Sequence, residues 1–192
     1  MPKVLLGIPH GGTIKAKLLS TVVSVIAQAP CPITLIESES ALGPHNRNVL
    51  AQCALEHDFT HLWLVDNDMT FPPDTLSRLL AHDKDLVGAA YNYRAFPRRT
   101  VVKLIDEEGR VMIPDRLPPT LFPCYAIGSG CKLITTAALR QIPKPWFWLR
   151  CDEDGALITT DDVWFCEQAL SVGIETYCDP TIEARHIGDC QY

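Results

Sequence analysis

The chain has 192 residues, a formal net charge of −6, 47% hydrophobic residues and 21% charged residues. This composition is typical of one globular domain and argues against a disordered, collagen-like or coiled-coil protein. The acidic balance disfavours general nucleic-acid affinity and docking to anionic membranes, although a local basic cluster such as Arg94, Arg98 and Arg99 could still hold a phosphorylated small molecule.

Strand and helix signals alternate through the first half of the chain. Short apolar runs predict strands, and the amphipathic stretches between them predict helices. The predicted strands are 3–9, 33–37, 61–65 and 86–91, and the predicted helices are 13–27, 46–57 and 73–82. Thr13 is expected to cap the first helix. This alternation predicts an α/β fold with a mostly parallel central sheet and helices on both faces.

The pattern changes after Tyr93. A Glu-Glu-Gly turn at 107–109, flanked by two short strand-like runs, predicts a small β-hairpin. Further elements are predicted as a strand over 125–130, a strand passing into a helix over 132–139, a helix over 161–171, and closing strands over 174–178 and 181–186. Thr159 or Thr160 is expected to cap the helix over 161–171, and Gly173 to end it. Because no linker separates these elements, we predict one domain.

Three segments carry residues suited to catalysis or metal binding. Asp66-Asn67-Asp68 follows the buried strand 61–65, at the end where open α/β sheets bind ligands, and its carboxylates suit Mg²⁺ or Mn²⁺. Asp161 and Asp162 open a predicted helix, and His186 lies late in the chain. Each segment also has a simpler interpretation: a solvated turn, two acids that complement a helix dipole, and a structural histidine.

Taken in order, these segments resemble those of small nucleotide-sugar glycosyltransferases of the GT-A fold, similar to family 2. HLWLVDNDMTFPP, residues 61–73, is similar to the D-x-D metal segment of those enzymes. DDVWFCEQALSVG, residues 161–173, is similar to their segment with an acid pair, a cysteine and a helix-ending glycine. The resemblance covers nearly the whole chain, and it implies one GT-A-like domain over 1–192, with a nucleotide-binding half (1–93) and an acceptor and catalytic half (94–192).

The resemblance also implies roles for the matching residues. Asp66, Asp68 and His186 would hold Mn²⁺ or Mg²⁺, and Asp162, with Asp161 beside it, would be the base of an inverting transfer. The implied nucleotide-binding positions are Pro9, His10, Glu37, Arg47, Asp66, Asn67, Gly128, Ser129 and Gly130. The implied partners are a UDP- or GDP-sugar donor and an acceptor sugar or other hydroxyl compound, with a homo-oligomer left open.

Other functions are left open by the sequence. A retaining transferase of the same fold would use Asp162 to orient the sugar instead of as a base. A nucleotidyltransferase also uses acid pairs, but residues 11–15, GGTIK, match its Gly-rich basic loop only faintly. A non-catalytic nucleotide-sugar-binding module would have no turnover at all. The segment Glu37-Ser38-Glu39-Ser40 leaves the preference for the nucleotide base open.

The cysteines and the apolar stretches predict the compartment. The eight cysteines form no CxxC pair, which argues against a zinc ribbon or a thioredoxin-like site. The most apolar stretch, residues 18–29, is interrupted by polar residues and is shorter than the ~20 residues that cross a bilayer. We therefore predict a soluble cytoplasmic protein without a signal peptide or a membrane span.

Overall fold

The computed structural model describes residues 1–188. Its strands are β1 (Val4–His10), β2 (Ile33–Glu39), β3 (His61–Val65), β4 (Met69–Thr70), β5 (Leu86–Ala89), β6 (Leu104–Ile105), β7 (Val111–Met112), β8 (Phe122–Cys124), β9 (Cys131–Thr135), β10 (Arg150–Cys151), β11 (Leu157–Thr159), β12 (Thr176–Asp179) and β13 (Arg185–His186). Its helices are α1 (Ala16–Gln28), α2 (Gly43–Glu56), α3 (Thr75–Ala81), α4 (Thr136–Gln141) and α5 (Asp161–Ser171). No helix in this described part of the chain is long and apolar enough to cross a membrane.

The central sheet has seven strands in the order β2-β1-β3-β9-β5-β12-β8. β1 pairs in parallel with both β2 and β3, and β12 pairs in parallel with β5. β9 is antiparallel to both of its neighbours, β3 and β5, and β8 is antiparallel to β12. Five strands therefore share one direction, which confirms the predicted mostly parallel sheet. Strands from both halves of the chain contribute to this one sheet.

Helices cover both faces of the sheet because its inner strands are apolar on both sides. In β3, Leu62 and Leu64 pack into one hydrophobic cluster, and Trp63 and Val65 pack into the other. The first cluster includes residues of α2, α4 and α5, and the second includes residues of α1 and α3. The side chains of these four residues are fully buried. This burial fixes β3 in the centre, so that the acidic turn after it lies at the carboxyl edge of the sheet.

Two local predictions are wrong, and other hydrogen bonds hold the segment in each case. Thr13 does not cap α1, which begins at Ala16 with Lys15 as its N-cap residue. Asn67 holds the segment before the helix, because its side-chain amide donates to the Thr13 carbonyl (2.6 Å) and its own carbonyl accepts from the Lys15 N–H (3.0 Å). Residues 125–130 form no strand, because their backbone groups bond to Lys103, to Asp66 and to the hydroxyl of Tyr91. The chain before the turn that leads into β9 is thus held by contacts with separate segments, including an isolated bridge to Lys103, and not by a continuous strand pairing.

Other predicted bounds hold or shift by short distances. β3 and α5 have the predicted limits, and the stretch after Gly130 divides into β9 and α4 as expected. Thr160 is the N-cap residue of α5 but makes no side-chain capping bond, and Gly173 follows the helix with φ of +81°. The predicted strand 181–186 shortens to β13, which pairs with β4 outside the central sheet. The hairpin of β10 and β11 was not predicted.

Candidate functional site

Polar side chains surround a cavity of about 280 Å³ at the carboxyl ends of β1 and β3. These two strands are parallel neighbours, so the residues that follow them meet at one edge of the sheet. The lining residues are Pro9, His10, Gly11, Ser40, Ala41, Gly43, Asn46, Arg47, Asp66, Asn67, Asp68 and Arg94. The cavity thus brings together six of the predicted site residues, from three separate parts of the sequence.

Arg47, on α2, connects two of the acidic segments. Its Nη2 lies 2.7 Å from Asp66 Oδ1, and its Nη1 lies 2.6 Å from Asp161 Oδ2. Burial alone would lower the pKa of the Arg47 guanidinium, but Asp66 and Asp161 raise that pKa above its ordinary value, so the side chain stays charged. The end of β3 and the start of α5 are therefore held together by one shared cation.

The short two-stranded ribbon of β4 and β13 brings the segment that carries His186 beside the backbone of Asp68. His186 lies opposite Met69 in this ribbon, and the Ile187 N–H donates to the Asp68 carbonyl (2.6 Å). His186 Nδ1 lies 2.8 Å from the Asn92 carbonyl oxygen, so Nδ1 donates to that oxygen. Burial raises the pKa of Asp68 above its ordinary value, while Arg94 and His186 oppose that shift.

The predicted metal ligands do not form a ready-made cation site. Asp66 is paired with Arg47, and Asp68 is paired with Arg94, so each carboxylate already has a cation. Within residues 1–188, no three His, Cys, Asp or Glu side chains lie where they could jointly hold a metal ion. This arrangement does not fit a bound divalent ion, and dependence on Mn²⁺ or Mg²⁺ stays a prediction from the sequence.

The two acids of α5 have different surroundings. Asp161 is buried and paired with Arg47, so it is committed to a structural contact. Asp162 is partly buried, and its Oδ1 accepts bonds from the Thr160 hydroxyl and from the Val163 N–H (2.9 Å). Its Oδ2 has no hydrogen-bond or ion-pair partner in the part of the chain that the structure describes. Of the two predicted catalytic acids, Asp162 is therefore the one with an oxygen available to a substrate.

His10, at the end of β1, and Glu37, on β2, are predicted nucleotide-binding residues with different positions relative to the cavity. His10 is buried, and its Nδ1 accepts from the Gly12 N–H (3.1 Å), while the buried Nε2 has no hydrogen-bond partner among residues 1–188. The nearest carboxylate is that of Glu37, whose Oε2 is 3.6 Å from Nε2. Glu37 is exposed and does not line the cavity. His10 therefore keeps a buried ring nitrogen without a hydrogen bond in the described chain, and Glu37 lies near that nitrogen but outside the cavity lining.

Gly128, Ser129 and Gly130 do not line this cavity. The two glycines face the buried Tyr91, whose hydroxyl accepts from the Gly130 N–H (2.8 Å). Burial raises the pKa of the Tyr91 hydroxyl well above its ordinary value. Ser129 is buried, and its hydroxyl has no hydrogen-bond partner within residues 1–188. Close packing against Tyr91 explains why positions 128 and 130 are glycines. A role of Gly128, Ser129 and Gly130 in binding a sugar stays a prediction.

Six of the lining residues were not assigned a site role from the sequence, and Asn46 and Arg94 are two of them. Asn46 is buried on α2, and its amide donates to the carbonyls of His10 and Ser40 (both 3.0 Å), which fixes the ends of β1 and β2. Arg94 belongs to the basic cluster noted in the sequence, but its pairing with Asp68 depends on the tertiary fold. Arg98 and Arg99 instead line a separate cavity of about 650 Å³, formed by residues that follow the carboxyl ends of β5 and β12.

Comparison with known proteins gives similarity in fold only. No protein family and no curated protein matches the sequence. Among solved structures, the protein A197 from STIV superposes with a TM-score of 0.70 at 17% identity, over 97% of this chain and 86% of that one. A protein assigned as a glucose-1-phosphate thymidylyltransferase from Bacillus anthracis, solved with sucrose, gives a TM-score of 0.52 at 10% identity, over 95% of this chain and 89% of that one.

A third solved structure is less similar in fold to this chain. It is a glycosyltransferase involved in glycosylation of the major capsid of PBCV-1, and it gives a TM-score of 0.41 at 14% identity, over 76% of this chain and 70% of that one. The first two likenesses confirm the predicted α/β architecture, which this chain shares with an assigned nucleotidyltransferase.

Proposed function

We propose that this chain is a glycosyltransferase that moves a sugar from a nucleotide-diphosphate sugar to an acceptor hydroxyl, with Asp162 as the base. The observation that carries the proposal is the double ion pair of Arg47 with Asp66 and Asp161. This contact holds the D-x-D turn, the cavity and the start of α5 at one edge of the sheet. A nucleotide bound in the cavity would then have its diphosphate near Asp66 and Asp68, with Asp162 nearby for the acceptor.

The proposed transfer needs one bond to form and one to break at the anomeric carbon of the sugar. The bond from that carbon to the diphosphate oxygen breaks, and its electron pair leaves with the nucleoside diphosphate. The acceptor oxygen bonds to the same carbon, and its proton passes to the Asp162 carboxylate. Asp162 suits this role because Thr160 and Val163 fix one carboxylate oxygen and leave the other available.

A nucleotidyltransferase is the second candidate, and the similarity in fold to the Bacillus anthracis protein favours it. Gly11, in the stretch that faintly matches a nucleotidyltransferase loop, also lines the cavity. Such an enzyme would join a nucleoside triphosphate to a sugar 1-phosphate and release pyrophosphate. The two candidates therefore differ in the phosphate product, which can be measured directly.

The test is a panel of UDP-, GDP- and dTDP-sugars, assayed for nucleoside diphosphate release with hydroxyl acceptors and with water alone. We expect turnover in the wild type and a loss of about 10²–10⁴-fold in Asp162→Asn, because general-base catalysis contributes about that much. Asp74→Asn is the matched control: it neutralises an exposed aspartate at the start of α3 that makes no side-chain capping bond. It should leave the rate unchanged.

Other results would contradict the proposal in distinguishable ways. Pyrophosphate release from nucleoside triphosphates with sugar 1-phosphates, and no release of diphosphate from any donor, would indicate the nucleotidyltransferase. Donor binding without turnover in the wild type would indicate a non-catalytic module. Full activity in Asp162→Asn would remove Asp162 as the base. The anomeric configuration of the product, read by NMR, separates inverting from retaining transfer.

A further inference from the structure

Both carboxylates of the D-x-D turn are neutralised by arginines that line the same cavity. Arg47 pairs with Asp66 at 2.7 Å, and Arg94 pairs with Asp68. Among the Asp, Glu, Lys and Arg side chains that line this cavity, these are two cations and two anions, and Asp161, which shares Arg47 with Asp66, lies outside the lining. A divalent cation binds where carboxylate charge is in excess, and the leaving diphosphate needs positive charge near it.

The two arginines differ in how much of the guanidinium remains available. The Arg47 side chain is only 14% exposed, and both of its Nη atoms are used on carboxylates. The Arg94 side chain is 50% exposed, and among residues 1–188 only its Nη2 is engaged, with Asp68. A guanidinium has five N–H donors in a planar fork, a geometry that matches phosphate oxygens. Arg94 can therefore keep its contact with Asp68 and still present donors to the cavity.

The backbone around Arg94 fixes where the side chain enters the cavity. The loop that carries it is closed at its base by a bridge between Asn92 and Thr100, and the Tyr93 N–H donates to the Arg99 carbonyl (2.9 Å). Asp68, which pairs with Arg94, is buried, with its side chain only 5% exposed. This buried carboxylate holds the guanidinium at the end of β3, where the strand meets the cavity.

We propose that Arg94 binds the diphosphate of the donor and supplies the positive charge that the resemblance to glycosyltransferases assigned to a metal ion. Binding of a nucleoside diphosphate by this chain then requires Arg94 and does not require a divalent cation. Asp68 acts as a positioning residue for Arg94 in this scheme. The inference rests on the proposed function, because it takes the cavity to be the site of a nucleotide donor.

The experiment measures binding of UDP, GDP and dTDP by calorimetry, in EDTA and with added Mn²⁺. For the wild type we expect a dissociation constant that EDTA and Mn²⁺ change by less than about threefold. Arg94→Ala should weaken binding in EDTA by about 10–100-fold, the range expected for losing a charge-assisted hydrogen bond. Arg94→Lys should recover part of this loss, because it keeps the charge but not the fork.

Arg99→Ala is the matched control, because Arg99 belongs to the same loop but lines the other cavity. It should bind the diphosphates as the wild type does. The wild-type comparison of EDTA with Mn²⁺ needs no variant, so it still decides the question if Arg94→Ala does not fold. Binding that disappears in EDTA and returns with Mn²⁺, or that survives unchanged in a folded Arg94→Ala, would overturn the inference and leave the proposed function standing. Failure of all three diphosphates to bind under either condition would overturn the proposed function itself.

Discussion

Tyr91 explains why residues 128 and 130 are glycines. A methyl group at position 128 would lie 2.8 Å from Tyr91 Cζ and closer still to the hydroxyl oxygen, and one at position 130 would lie 2.7 Å from that oxygen. Such distances are below van der Waals contact, so one of the two segments would have to move. The buried ring fills space that a side chain on the turn would need, and its hydroxyl accepts from the Gly130 N–H.

We therefore expect Gly128→Ala to lower the free energy of unfolding by about 1–3 kcal/mol, the usual effect of overpacking a core. Tyr91→Phe removes the closer of the two clashing atoms and keeps Cζ, so the double variant should lose less stability than the sum of the two single variants. Denaturant unfolding measures all three. Gly11→Ala is the control, because its new methyl group would meet only the Ser40 carbonyl oxygen at 3.8 Å. Strict additivity would show that the hydroxyl is not the obstacle.

At the scale of elements, α3 is attached to the end of β12 by an ionic cluster on Asp179. The Asp179 Oδ2 lies 2.9 Å from His82 Nε2 and 3.4 Å from Arg78 Nη2. Its Oδ1 accepts from the N–H and the hydroxyl of Thr181, at 2.9 and 2.6 Å. Burial alone would raise the pKa of Asp179, but these partners together hold it below its ordinary value. The charged form is therefore favoured by folding.

This pKa shift gives a pH dependence with a definite sign. Because the pKa of Asp179 is lower in the folded than in the unfolded chain, its contribution is present above the ordinary aspartate pKa and is lost as the pH falls through the folded value. We expect Asp179→Asn to cost about 1–3 kcal/mol at pH 7 and to flatten the loss of stability on acidification. Denaturant unfolding from neutral to acidic pH measures this. Asp74→Asn should keep the wild-type profile, and an equally steep profile in Asp179→Asn would contradict the prediction.

The sequence predicts elements well where one local signal fixes them. β3 is apolar on both faces and ends at the acidic turn, and α5 has acids in its first turn and a left-handed glycine after its end, so both have the predicted bounds. The placement of β9 between β3 and β5 was not predictable in this way. An antiparallel insertion between two parallel strands depends on long-range pairing, and the apolar pattern of β9 is the same for any position inside the sheet.

At the candidate site, too, local motifs predict some residues but not the partners that those residues contact. The sequence predicts Asp66, Asp68 and Asp162 as candidate site residues because acids after a buried strand or at a helix start form short motifs. Their partners Arg47 and Arg94 lie far along the chain from at least one of the acids they contact, and no local pattern connects them. Whether an acid meets a metal ion or an arginine depends on these distant contacts, so the chemistry of the D-x-D turn needed the tertiary structure.

At the scale of the whole molecule, Arg47 joins the two halves of the chain. It lies on α2 in the first half and bonds to Asp161 at the start of α5 in the second half. Arg47, Asp66 and Asp161 are 14%, 22% and 11% exposed in their side chains, so water compensates little for a lost partner. Removing one member of such a buried group leaves an uncompensated charge, which costs about 3–5 kcal/mol.

We expect Arg47→Met to lower the free energy of unfolding by about that amount, measured by denaturant unfolding with two spectroscopic probes. Asp161→Asn in the same chain should restore part of the loss, because it removes one of the two stranded carboxylates, so the double variant should be more stable than additivity predicts. Arg110→Met is the control, since its ion pairs with Asp106 and Glu108 lie on an exposed hairpin and should contribute little. If Arg47→Met costs no more than Arg110→Met, the contact does not hold α2, β3 and α5 together.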